Sequence, residues 1–356
     1  MHTHNSTRSL TMLDDLKYIH ERDVQDALGT AEKQYDQLNY EFIVGPLSFQ
    51  PSNIVYAGMG GSALAASLSI TWPGYNVPFE IVRNYDIPGY VSSETLFIAS
   101  SYSGNTEETL AALAAAEEAG AHIAVIAGGG KLVEIAKEKG YPLALVPTTG
   151  QPRYAVLYNL KALVSILKAA GVVSGAQVDQ QLSLAADYLQ RAAAIWAPTV
   201  ATKDNPAKQL AQELMGKSVV VYSGPKIFPA AYKWKISVNE NAKQIAWVNQ
   251  YPEFNHNEFI GWSRQPVDKP YAVIDLRSSY EHARIQKRFV VSEQLLSGLR
   301  PTPFVINVEG DTLLEQLLWT VMFGDFVTIY LALLNGIDPA PVELVEKLKT
   351  ELANRV

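Results

Sequence analysis

Nine consecutive residues, Ser101-Tyr102-Ser103-Gly104-Asn105-Thr106-Glu107-Glu108-Thr109, hold the clearest chemistry in the sequence. Ser101, Ser103 and Thr106 supply hydroxyls that can donate or accept, and Gly104 lets the backbone approach a ligand closely. The apolar run Leu96–Ala99 before them reads as a buried strand, and the alanine-rich Leu110–Ala119 after them as a helix. The hydroxyls therefore fall in the turn between. A helix N-terminus carries unpaired backbone N–H groups and the positive end of the peptide dipole, which suits a bound phosphate. Glu107 and Glu108 then occupy the first helical turn, where carboxylates favour the dipole and can cap N–H groups. The chemistry expected of this turn is capture of a phosphorylated small molecule.

A second turn, Gly58-Met59-Gly60-Gly61-Ser62, follows the strand candidate Ile54–Ala57 and precedes an apolar helix over Ala63–Ile70. It falls short of a dinucleotide fingerprint, because Ala63 stands where the third Gly would be; Glu80 could fill the acidic position only by a common coincidence. Alone, such a turn merely joins strand to helix. Beside the hydroxyl turn, it makes two helix N-termini aimed at one crevice, where open α/β sheets hold ligands. Further on, Asn239-Glu240-Asn241-Ala242-Lys243 and Asn255-His256-Asn257-Glu258 offer a carboxylate and an imidazole for acid–base work. Both also fit blander readings, a solvated Glu and a structural His. His256 with Glu258 makes a weak metal site, since no second His or Cys lies nearby.

The elements that position these residues alternate. Phe79–Val82, His122–Ile126 and Leu143–Val146 complete a first set of strands separated by helical stretches, the pattern of a parallel sheet covered by helices. A second set begins at Asn205-Pro206, an N-cap followed by Pro at the first helical position, with Gly216 ending that helix. Ser218–Tyr222, Tyr271–Asp275 and Phe304–Val308 are its strands. The fold class is α/β: one αβα plan with a parallel sheet, used twice. The expected division is an extension over 1–20, a first unit over 21–170, a helical connection over 171–204 and a second unit over 205–356.

Composition sets limits. With 48% hydrophobic and 18% charged residues, 356 residues can bury a large core. The net charge of -7 and the lack of a Lys/Arg cluster disfavour nucleic acid as a partner. Cysteine is absent, which removes disulfides and thiolate chemistry and is compatible with a reducing cytosol. The polar N-terminus does not read as a secretory signal, and residues before about Met12 are expected to be disordered. A cytoplasmic protein is expected. Leu317–Leu334 approaches the length of a membrane span but contains Gly324, Asp325 and Thr328, so it is read as a buried helix of the core or of a subunit interface.

Taken together, Gly60-Gly61-Ser62, the Ser101–Thr109 string, Glu240-Asn241-Ala242-Lys243 and Asn255-His256-Asn257-Glu258 resemble the bifunctional phosphoglucose/phosphomannose isomerases of the sugar isomerase (SIS) domain superfamily. The resemblance runs from about Met12 to the C-terminus and implies two SIS-type subdomains. It implies that Gly61, Ser62, Ser101, Ser103 and Thr106 bind the sugar phosphate. Glu240 matches the base that moves a proton between C1 and C2, and Arg153 the arginine that steadies the enediolate. His256 matches the ring-opening residue, which the family takes from the neighbouring subunit, so a homodimer with shared sites is implied. A C-terminal lysine completes the family's site; Lys349 is matched to it in preference to Lys347. Neither metal nor redox cofactor is implied. Two departures stand out: the 171–204 region is longer than in compact members, and Ala340 replaces a common Thr, which bears on the mannose activity. A sugar-phosphate sensor without catalysis and an amidosugar-phosphate isomerase are the competing readings.

Overall fold

The computed structural model describes residues 12–47, 49–264 and 270–354, so the expected N-terminal disorder lies outside the described residues. Helices α1 (Leu16–Arg22) and α2 (Ala27–Glu32) come first. The first sheet follows as β1 (Asn53–Ala57), α3 (Gly60–Thr71), β2 (Phe79–Val82), β3 (Thr95–Ser101), α4 (Glu107–Glu118) and β4 (His122–Ala127). It continues through α5 (Gly130–Lys139), β5 (Leu143–Leu145) and α6 (Val156–Ala169). Its strands are parallel in the order β2-β1-β3-β4-β5. The reason is visible in the sequence. Successive residues of β1, β3 and β4 face opposite ways, and both faces are covered. Ile54, Tyr56, Ile98 and Ile126 pack with Leu163 of α6 on one side; Val55, Ala57, Phe97 and Val125 pack with Leu113 of α4 on the other.

Helix α7 (Gly175–Trp196) fills most of the stretch expected to be a helical connection. Then come α8 (Pro206–Leu214), β6 (Ser218–Ser223), α9 (Phe228–Glu240), β7 (Ala246–Gln250), the short α10 (Glu258–Gly261) and β8 (Tyr271–Arg277). The chain ends with α11 (Ala283–Leu295), β9 (Phe304–Asn307), α12 (Leu313–Leu334) and α13 (Glu343–Ala353). The second sheet is parallel, in the order β7-β6-β8-β9. It repeats the first pattern with one strand fewer. Asn205 caps α8 as its type suggests, its side chain accepting from the N–H groups of Ala207 at 3.0 Å and Lys208 at 3.1 Å. Strand β7 and helix α11 were not foreseen. The first is an edge strand buried only at Ala246; the second carries mostly polar and charged residues.

The described chain forms two compact units, each discontinuous in sequence. One holds the first sheet with Lys33–Ala192 and Glu309–Trp319; the other holds the second sheet with the residues up to Glu32, Ala193–Val308 and Thr320 onward. The N-terminal helices are tied into the second of these by Tyr18, whose hydroxyl donates to the Leu333 carbonyl at 2.7 Å. Asp14 adds to that tie, accepting from both the N–H and the hydroxyl of Thr202 at 2.8 Å. Helix α12 is the one described helix long and apolar enough to cross a membrane, and its apolar stretch is wholly buried inside the protein.

Candidate active site

In the unit built on the first sheet, strand order reverses between β1 and β3, since β2 flanks β1 on one side and β3 to β5 continue on the other. The two turns singled out by residue type lead from the C-terminal ends of those two strands into α3 and α4. Such a reversal opens a crevice, because the helices on either side depart to opposite faces. The turns are bonded to each other by the Tyr102 N–H, which donates to Ser62 Oγ at 3.2 Å, and from β1 the Tyr56 hydroxyl donates to the Ser62 carbonyl at 2.8 Å.

Within the second turn the hydroxyls form a cluster. Ser101 Oγ lies 2.7 Å from Thr106 Oγ1 and 3.4 Å from Ser103 Oγ, and it accepts from the Gly104 N–H at 3.1 Å. Ser101 is buried at the strand end, while Ser103 is exposed. Thr106 is the N-cap of α4, but its side chain makes no cap bond, so the first N–H groups of that helix are not capped from there. Glu107 and Glu108 do occupy the first turn; Glu107 accepts from the Tyr85 hydroxyl.

Two glycines are there because other backbone lies against them. A Cβ on Gly61 would come 3.0 Å from the Pro152 carbonyl oxygen and 3.3 Å from the Arg153 nitrogen. The first turn thus packs on the Pro152–Tyr154 turn, and this brings Arg153 beside the crevice. Arg153 is 1% exposed, with its guanidinium 4.8 Å from the Tyr154 ring centroid and within 3.4 Å of Gln151 Oε1. Gly104 has φ +70°, and a Cβ there would sit 1.7 Å from the Gly129 carbonyl oxygen. All of Gly61, Ser62, Ser101, Ser103, Thr106 and Arg153 are gathered at one end of the first sheet.

The second sheet has the same reversal, between β6 and β8, but its own carboxylate fills it. Glu281, in the loop after β8, packs on Gly224 and accepts from the Lys226 N–H at 2.8 Å, two residues before α9 begins. Burial pushes this carboxyl up from the ordinary range, against the backbone donors of Lys226 and Ile227 that pull it down. The carboxyl of Glu281 therefore occupies, in the second sheet, the place at which the first carries its hydroxyl-lined turn.

Glu240 is the last residue of α9 and is half-buried. Its carbonyl is held by Lys243, a residue with a left-handed backbone (φ +56°). The Lys243 ammonium donates to the Glu240 carbonyl at 2.7 Å and to the Pro339 carbonyl at 2.9 Å. That bridge ties the Asp338–Ala340 turn to the end of α9, so the Ala340 departure lies against the same lysine clamp. Nothing in the spacing of Lys243 and Pro339 announced this pairing.

His256 ends a single 3-10 turn, Glu253–His256, and is exposed. The residues around it are fixed. Asn255 donates to Ser292 Oγ at 2.9 Å and accepts from Arg288 at 3.0 Å, both on α11. Glu258 accepts from Asn249 of β7 at 2.7 Å and from the Tyr222 hydroxyl of β6. The notable role of Glu258 is therefore to anchor the loop. Among the described residues no group of three or more His, Asp or Glu side chains is placed to hold a metal ion. Lys349 lies on α13, exposed, and pairs with Glu346 at 2.7 Å; such a surface pair holds its lysine only weakly.

The family described as bacterial phospho-glucose isomerase C-terminal SIS domain matches residues 203–352. A bifunctional phosphoglucose/phosphomannose isomerase of Aquifex aeolicus (strain VF5) is 31% identical over 332 residues, covering 92% of this chain and 99% of that protein. A D-glucosamine-6-phosphate 4-epimerase of Sulfolobus acidocaldarius is 35% identical, but over 60% of this chain and 64% of its own. Among solved structures, a glucose-6-phosphate isomerase-like protein from Thermus thermophilus superposes with a TM-score of 0.64 at 18% identity, covering 95% of this chain and 98% of that one. The last likeness speaks for the fold alone. Identity sustained over nearly the full length of the Aquifex isomerase speaks for kinship: the chain belongs to the bifunctional phosphoglucose/phosphomannose isomerase family.

Proposed function

We propose that the protein is an aldose–ketose isomerase that interconverts glucose 6-phosphate, and mannose 6-phosphate, with fructose 6-phosphate through a cis-enediolate, without a metal. The observation that carries the reading is the hydroxyl-lined pair of helix N-termini at the β1/β3 reversal, a seat for a phosphate in a chain of this family. Phosphate held there by Gly61, Ser62, Ser101, Ser103 and Thr106 lets remote binding energy position the reacting carbons. Glu240 takes the proton from C2 of the open-chain aldose and returns it to C1. Charge gathers on the enediolate oxygens, and a fixed cation, Arg153, stabilises that state more than the substrate. His256 and Lys349 serve ring opening by moving protons at the ring oxygen and the C1 hydroxyl.

His256 is exposed on a rigidly anchored loop, as a residue lent to a neighbouring subunit would be. On that basis and on family kinship we read the protein as a homodimer, and as cytoplasmic from its lack of cysteine. The relative named for glucosamine 6-phosphate keeps a second reading in view, an enzyme acting on an amidosugar phosphate.

One assay separates them: glucose 6-phosphate, mannose 6-phosphate and glucosamine 6-phosphate are offered singly, and the product of each is followed, fructose 6-phosphate from the hexose phosphates and an isomeric amino sugar phosphate from glucosamine 6-phosphate. Both hexose phosphates are expected to give fructose 6-phosphate, with glucose 6-phosphate the better substrate because Ala340 lacks the hydroxyl common at that position. Turnover of glucosamine 6-phosphate alone would replace this reading with the second.

A further inference from the structure

Within the apolar stretch of α12, Thr320, Asp325 and Thr328 are polar residues with no solvent exposure. Helix α9 carries Lys233, Ser237 and Asn241, the last being its C-cap, at intervals of four, and these too are buried at 0–1% exposure. Intervals of four place such residues along one helix face, one above the other. The two sets meet. Lys233 pairs with Asp325 Oδ1 and donates to Ser237 Oγ at 2.6 Å, and Ser237 Oγ donates to the same carboxylate oxygen at 2.8 Å. One step toward the end of α9, Asn241 Nδ2 donates to Thr328 Oγ1 at 2.9 Å. Beside this row the Trp234 indole N–H donates to the Thr320 carbonyl at 2.7 Å. The helices approach so closely that a Cβ on Gly324 would lie 2.4 Å from that indole nitrogen.

A buried ion pair is weak evidence for stability, because apolar side chains of the same volume can pack there as well. What it imposes is register. A slip of α9 by one turn along α12, or a rotation by one residue, would strand Lys233 and Asp325 among Val, Leu and Phe without partners. Glu240 is the last residue of α9, three after Ser237 and one before Asn241. Its Cα is therefore set by the same bonds. A base shared between two adjacent carbons tolerates little error, since misplacement by 1 Å can cost about a hundredfold in rate.

We propose that the buried row joining Lys233, Ser237 and Asn241 to Asp325 and Thr328 is a positioning device that holds Glu240 in its working place. The inference rests on the reading of Glu240 as the base. Two variants break the row without emptying the core: Lys233→Met with Asp325→Leu, which deletes both charges, and Thr328→Val, which removes the acceptor of Asn241 together with the hydroxyl's own donation to the Gly324 carbonyl at 2.8 Å and the Asp325 carbonyl at 3.1 Å. Steady-state rates on glucose 6-phosphate are measured with thermal melts. Turnover number should fall about ten- to hundredfold, with KM within about twofold and a cooperative melt retained. Thr328→Ser, which keeps the hydroxyl, should recover most of the loss. Should the double variant fail to fold, Thr328→Val against Thr328→Ser carries the test. Folded variants with native turnover would overturn the inference, as would a loss that merely follows the folded fraction. Glu240→Gln measured alongside separates the two failures. If it is inactive while the row variants are fully active, only the positioning role falls; if it is fully active, the reading of the base falls and takes the positioning role with it.

Discussion

Glu240→Gln should fold as the native protein does, bind glucose 6-phosphate with a KM within about threefold of native, and turn it over at least a hundredfold more slowly. The amide has nearly the shape of the carboxylate and can occupy the same half-buried place at the end of α9. The backbone there is held by groups the substitution leaves alone, the Lys243 ammonium on the Glu240 carbonyl at 2.7 Å and the Asn241–Thr328 bond at 2.9 Å. What is lost is the capacity to accept a proton near neutral pH, the whole of a general base's contribution. KM is expected to survive because the hydroxyls proposed to hold phosphate sit at the end of β3, in the turn before α4 and in the first turn of α3. Steady-state kinetics with a melting curve decide the matter. A variant that keeps a tenth or more of native turnover removes Glu240 from the role of base.

Gly104→Ala is the second large effect, and its cause is steric. Gly104 has φ +70°, and the added methyl would fall 1.7 Å from a backbone oxygen of Gly129, which no side-chain rotation can relieve. The hydroxyl turn and the Gly128–Gly129 turn between β4 and α5 would have to part. That breaks bonds which now join them, including Gly128 N–H to the Tyr102 carbonyl and Leu132 N–H to the Gly104 carbonyl, each at 3.0 Å. It also shifts Ser101, whose hydroxyl accepts from the Gly104 N–H. A loss of about 3 kcal/mol in stability is expected, with KM for the sugar phosphate raised about tenfold or more. Gly120 supplies the control. Its φ is +77°, yet nothing lies within 4 Å of its Cβ position, so Gly120→Ala should cost only about 1–2 kcal/mol and leave KM alone. Equal effects of the two substitutions on KM would contradict the account of the turn.

The first sheet was legible almost to the residue. Phe79–Val82 is a strand with the bounds read from the sequence, and Ile54–Ala57 and Leu96–Ala99 sit within β1 and β3. Strands covered on both faces must be continuously apolar, and that signal needs no partner to be seen. Strand β7 escaped because its second half is polar: like the edge strand β2 it buries a single residue, but Asn249 and Gln250 leave it without the apolar run by which β2 was read. The pair of hydroxyl-lined turns was legible for a related reason: its hydroxyls and glycines lie within short, local strings. The setting of Glu240 was not. Asp325 looked like an interruption of an apolar run, whereas it is the partner of Lys233, 92 positions earlier. Lys243 looked like part of a short motif, whereas it clamps Pro339, 96 positions later. Charge pairs formed by tertiary contact leave no spacing in the sequence. The same holds for Glu281, whose carboxylate closes the second sheet's crevice from a loop 55 positions after its donor Lys226.

The central claim is that an enediolate forms by removal of a proton to a carboxylate, and isotope incorporation tests it most directly. Glucose 6-phosphate is isomerised in deuterium oxide and the fructose 6-phosphate is followed at C1 by nuclear magnetic resonance. A proton parked on Glu240 exchanges with solvent during some turnovers, so deuterium is expected at C1 and should accumulate on repeated equilibration. Product that stays free of deuterium after many turnovers would mean that the hydrogen passes directly between the carbons, which contradicts proton removal by Glu240.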